Sequence, residues 1–86
     1  ARNANARAAQ LREGLLAQGW HEWLPSASNQ LFFEVPCVAA ARFVDTLGCE
    51  VFFDHGDTQV VRFVTSWVTT SADVEEALAF AAGLAR

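Results

Sequence analysis

Arg62 has the least ordinary setting of the side chains here that could do chemistry, because it interrupts the apolar run Val60-Val61-Arg62-Phe63-Val64. A guanidinium cannot shed its charge by losing a proton, so burying it alone is costly and it requires an anion. Two sources of that anion are open. One is internal: an ion pair with Glu34 or Asp54 on a neighbouring strand, or a side chain that snorkels from a sheet edge into water. The other is external: a waiting anion site, in which the planar fork of donors takes a carboxylate or phosphate by two parallel hydrogen bonds.

The other reactive groups point to less. Cys37 and Cys49 are the only cysteines. A single pair with no secretory pattern reads as reduced, half-buried thiols rather than a disulfide framework. His21 and His55 could complete a set of four metal ligands with them, but neither CxxC nor HxxxH spacing is present, and no metal site is expected. The sequence contains no lysine. That excludes from this chain any chemistry needing an ε-amine, including the lysine Schiff base of a pyridoxal-phosphate enzyme. No residue of the chain is therefore assigned a catalytic role.

Composition bounds the rest. The 86 residues make a single small domain, 1–86, and a chain of this size buries roughly 60–65% of its unfolded surface. Seven Phe and three Trp in a chain that is 52% hydrophobic argue against disorder. No apolar run approaches the ~20 residues of a membrane span. The net charge is −4, with six Arg scattered among ten acids, so no basic stripe suggests nucleic acid. No basic-then-apolar leader opens the sequence, and a cytoplasmic location is expected. There is no Met, and Ala1-Arg2-Asn3-Ala4-Asn5 is helical in pattern from the first residue without a capping box. The missing Met suggests a chain that starts after processing or is cut from something longer, and the uncapped start reads as a helix entered partway along.

The elements that must position Arg62 follow from periodicity. Ala4, Ala8, Leu11 and Leu15 predict a helix over 2–18, closed by Gly19. Residues 20–28 read as a connection, and 30–35 as a strand. Pro36 introduces a helix over 38–47 whose Ala40, Phe43, Val44 and Leu47 share a face, ended by Gly48. Strands are predicted over 49–54 and 59–66, joined by a turn at 55–58. Thr70 and Asp73 form a capping box for a last helix, with Val74, Leu78, Ala81 and Ala85 on one face. The order α-β-α-β-β-α predicts an α+β fold: a three-stranded, mainly antiparallel sheet, the third strand between the first two, with helices packed on one face.

Strand alternation divides the sheet. Leu31, Phe33, Val35, Val51, Phe53, Val61 and Phe63 form an apolar face for the helices. The second face mixes Phe32, Phe52, Val60 and Val64 with Glu34, Asp54 and Arg62. Such a surface suits an interface better than solvent, and self-association through it is expected.

The run Val61-Arg62-Phe63-Val64-Thr65-Ser66-Trp67, followed by Thr69-Thr70 and Asp73-Val74, resembles the C-terminal signature of the L-threonine aldolase and β-eliminating lyase family. Ser28-Asn29-Gln30-Leu31-Phe32-Phe33 and Phe52-Phe53-Asp54 are similar to other parts of that small domain, and the resemblance runs over essentially the whole chain. It implies the small domain of a two-domain, fold-type I enzyme whose pyridoxal phosphate is held by a large domain absent from this chain. The family's strand arginine, matched by Arg62, binds the α-carboxylate of the amino-acid substrate. Holding that carboxylate sets which bond at Cα the cofactor acts on; for threonine, cleavage of Cα–Cβ gives glycine and acetaldehyde. The resemblance implies three partners: the large domain, a small amino-acid substrate and further copies in a homo-oligomer. The isolated chain is expected to be inactive. The family's lysine, phosphate-cradling residues, aspartate and stacking histidine have no counterparts here. Asn29 is left with strand-end hydrogen bonding, and Trp67 with packing. The alternatives are a free-standing α+β module that binds a small carboxylate or a protein, and the small domain of a related enzyme such as an aminotransferase.

Overall fold

The computed structural model describes residues 2–26 and 28–86. Helix α1 spans Arg2–Ala17, followed by strands β1 (His21–Leu24) and β2 (Gln30–Pro36). Helix α2 (Cys37–Leu47) comes next, then strands β3 (Glu50–Asp54) and β4 (Thr58–Val64), then helix α3 (Ser71–Ala82). The sheet runs β1-β2-β4-β3, with each neighbouring pair antiparallel. The α+β class and the insertion of the last strand between the two before it match the sequence reading.

Strands β2 and β4 are the centre of the molecule. They pair without interruption from Gln30 opposite Val64 to Pro36 opposite Thr58. Alternation then sends Leu31, Phe33, Val35, Val61 and Phe63 to one side, where all are buried. There they join Leu11 and Leu15 of α1, Ala39, Ala40 and Phe43 of α2, and Val74 and Ala81 of α3 in one cluster, so all three helices cover the same face. Phe43 sits at its middle, edge-on to Trp20 at 5.3 Å and to Phe63 at 5.2 Å. Edge-to-face contacts of this kind add about 0.5–1.5 kcal/mol beyond area burial.

The helix ends form where their residue types require. Gly19, at φ +92°, ends α1: its N–H donates to Leu16 O and that of Trp20 to Leu15 O, a Schellman motif that satisfies the last carbonyls. At α3, Thr70 Oγ1 accepts from the Asp73 N–H at 3.1 Å, and the Thr70 N–H donates to Asp73 Oδ2 at 2.9 Å. The predicted capping box is complete, and the backbone and hydroxyl hydrogen bonds from Thr70 lower the Asp73 pKa. Gly14 lets α1 lie close against α3, since a Cβ there would come within 2.4 Å of Leu78 Cδ1.

Two expectations are corrected. The sheet has four strands rather than three, because His21–Leu24, read as connection, forms β1. This strand is short, ends at Pro25 and is mostly exposed. Its register breaks between Glu22 and Leu24, so no alternation of core residues announces it. What holds its inner side is an ion pair: Arg12 Nε and Nη2 donate to the two Glu22 carboxylate oxygens at 2.7 and 2.9 Å. Second, β3 is exposed along its whole length. A register shift between Val51 and Phe53 places Val51 opposite Val61 but Phe53 opposite Val60. Such an extra residue turns the strand, so Phe53 joins the open face instead of the apolar one, while Val51 keeps the side of Val61 but stays exposed on the edge strand. Among the described residues, no helix is long and apolar enough to cross a membrane.

Candidate functional site around Arg62

Arg62 lies near the middle of the sheet, opposite Phe32 on one side and Glu50 on the other. Its flanking residues Val61 and Phe63 point into the helix-covered core, so Arg62 projects from the open face. The cross-strand register brings the Glu50 carboxylate to it: Arg62 Nη2 donates to Glu50 Oε1 at 2.5 Å. The side chains differ in setting, Arg62 being 29% exposed and Glu50 68%. The contact engages one corner of the guanidinium. Arg62 Nε is shut off from solvent and has no hydrogen-bond partner, and an orphaned donor of this kind costs about 1–3 kcal/mol.

Neither predicted internal partner is the one found. Glu34 accepts from Thr58 Oγ1 at 2.6 Å and has the Nε2 atoms of His21 and His55 4.0 Å away on either side. Asp54 instead accepts the Gly56 N–H at 2.8 Å and shapes the β3–β4 turn. An ion pair within the sheet does exist, with Glu50. That residue was within reach of the same reasoning, since alternation puts it on the face of Phe52 and Asp54. What the sequence lacked was the register that sets it opposite Arg62.

Beside the pair, β4 continues to Val64 while β3 begins only at Glu50, opposite Arg62. A cavity of about 290 Å³ opens there, its walls including Arg62, Glu50, Phe63, Thr65, Leu11 and Val74. It combines an apolar floor with a charged rim, the usual make-up of a small-molecule site. On the rest of the open face, Phe52 touches Phe32 with ring centroids 4.9 Å apart. Trp23 touches both Phe52 and Phe53, at 5.9 and 6.2 Å. Both of those Phe side chains are 51% exposed.

The strand exit is tied down by polar contacts. Asn29 Nδ2 donates to Thr65 O at 2.8 Å, while the Thr65 N–H donates to Asn29 O at 3.0 Å; this is the strand-end bonding expected of Asn29. Buried Thr65 donates through Oγ1 to Ala4 O at 2.5 Å. Asn3 Nδ2 donates to the carbonyls of Trp67 and Thr69. Trp67 does not pack as expected: its side chain is 78% exposed, and its carbonyl is what serves the structure. Cys37 and Cys49 are both free thiols. Burial pushes the Cys49 pKa up to about 12, which leaves it inert at neutral pH, and Cys37 Sγ donates to Gly56 O. Among the described residues, no group of three or more His, Cys, Asp or Glu is arranged to hold a metal.

Fold and site together define a class: an antiparallel α+β domain whose central strand presents an arginine on an aromatic open face. Among solved structures, the chain is similar to the threonine aldolase of Leishmania major, with 29% identity and a TM-score of 0.83. The match takes in 92% of this chain and 23% of that one. The chain is thus threonine-aldolase-like in structure over nearly its full length, and it spans about a quarter of the enzyme it matches. No protein-family profile and no curated protein matches the sequence.

Proposed function

We propose that this chain is the substrate-carboxylate-binding small domain of a pyridoxal-phosphate-dependent lyase resembling threonine aldolase. Such an enzyme cleaves a β-hydroxy-α-amino acid to glycine and an aldehyde. The observation that carries the reading is the match to threonine aldolase over 92% of the chain. The setting of Arg62 supports it, because a guanidinium held at one nitrogen only, beside a small cavity, has donors left for a ligand anion.

The residues present do not fit the cofactor. The chain has no lysine to bond it, so pyridoxal phosphate is assigned to a large domain outside this chain, which also supplies the acid–base groups. The contribution derived for this chain is positional. A carboxylate gripped by the Arg62 fork is fixed in plane as well as in place. Orienting a substrate in this way lowers a barrier without any chemistry by the residue that does it. The exposed aromatic face around Trp23, Phe52 and Phe53 is the surface on which the large domain or another copy would rest.

The test uses the full-length enzyme that carries this segment. Arg62→Ala is expected to raise the KM for the amino acid about ten- to a hundredfold, the scale of a lost charge-assisted contact. Cofactor absorbance should stay intact. Arg62→Lys should fall in between, since a point charge replaces a planar fork. An unchanged KM in Arg62→Ala would refute the role.

A further inference from the structure

We propose that Glu50 is a built-in stand-in for the substrate carboxylate, holding Arg62 until a ligand displaces it and thereby setting how tightly the ligand binds. This rests on the carboxylate-binding reading of Arg62 and adds a residue to it.

Three observations point the same way. The first is position: register fixes Glu50 directly opposite Arg62, and one of its oxygens sits on Nη2. The second is freedom to leave. Glu34 and Asp54 are each held by a further donor, Thr58 Oγ1 and the Gly56 N–H. The Glu50 carboxylate has no hydrogen bond besides the one to Arg62 among the described residues, and its side chain is 68% exposed. The third is the unequal quality of the two contacts. Glu50 engages one nitrogen and leaves Nε orphaned. A ligand carboxylate entering from the adjoining cavity can take Nη1 and Nη2 in parallel, a better contact than the single one that Glu50 makes.

The exchange is therefore downhill but not free. Without a ligand, Glu50 keeps an arginine in an apolar strand from standing as an uncompensated charge. With one, Glu50 swings into water, giving up an ion pair of the exposed, weak kind. Each acid excludes the other from the guanidinium, so the strength of the internal pair is subtracted from ligand affinity. Glu50 takes no part in bond breaking; its effect belongs to KM.

In the full-length enzyme carrying this segment, Glu50→Gln is expected to lower the KM for L-threonine about two- to fivefold, the fold-change that an exposed ion pair corresponds to. The value of kcat should be unchanged. Glu50→Asp, whose shorter side chain reaches Arg62 less well, should shift KM in the same direction and guards against a fold defect in the first variant. In an Arg62→Lys background the benefit of Glu50→Gln should shrink, because the two residues act through one contact. An unchanged or raised KM in Glu50→Gln, with Arg62→Ala still impaired, would overturn the stand-in role and leave the carboxylate reading intact. An unchanged KM in Arg62→Ala would remove both.

Discussion

The two faces of the sheet draw on the same residue types and end in opposite conditions. Phe33 and Phe63 point into the helix-covered core and are nearly inaccessible, while Phe52 and Phe53 stand half in solvent on the other side. The covered face meets three helices and has no charged member in its cluster. The open face mixes its aromatics with Arg62, Glu50, Glu34 and two histidines. The division assigns the work: one face supplies the stability, and the other holds its charges in pairs that are loosely made. The Arg62–Glu50 contact, proposed above to open to a ligand, lies on the second face, outside the buried cluster.

This contrast can be broken from its strong side first. Phe33→Ala should destabilise the fold by about 3–5 kcal/mol, the range for truncating a buried aromatic, as read by denaturant unfolding. A cost near zero would mean that the core collapses around the gap and is not the rigid half. A second test titrates the same interior. The Cys49 thiol keeps its proton to about pH 12 in the fold, against an ordinary value of 9.0. The unfolded chain therefore releases that proton first, and stability from this group, present below about pH 9.0, is lost as pH rises toward 12. Melting temperature should fall over that window and fall less in Cys49→Ala relative to its own neutral-pH value. Phe52→Ala on the open face should give the smallest effect, about 1 kcal/mol or less. A loss as large as that of Phe33→Ala would erase the distinction between the faces.

Much of this was legible in the residues. The positions of β2 alternate strictly, and those of β4 alternate from Val61 onward, because both strands are long and central; Val60, on the other face, is buried as well. The α3 cap was legible because Thr70 and Asp73 recognise each other across three residues and need no distant partner. β1 was not, since four residues ending at a proline carry no periodicity and their anchor, Arg12, lies ten residues upstream. Nor were the register shifts in β1 and β3, which exist only relative to a partner strand. The site divides along the same line. Arg62 announces itself as a charge in an apolar run, whereas the identity of its counter-ion depends on a register that no local pattern encodes.

The clamp at the exit of β4 has a consequence for how the chain folds. Thr65 bonds back to Ala4 across 61 positions, and Asn3 reaches Trp67 and Thr69 across 64 and 66. Gln18 and Arg86 join the same ends 68 positions apart. Helix α1 therefore has its principal partners in segments that follow it by about sixty residues. Contacts between such distant positions form slowly, because a long loop must close before they return anything. Until α3 is in place, the apolar stripe of α1 lacks its neighbour, so the two ends of this segment must come together before its core is closed.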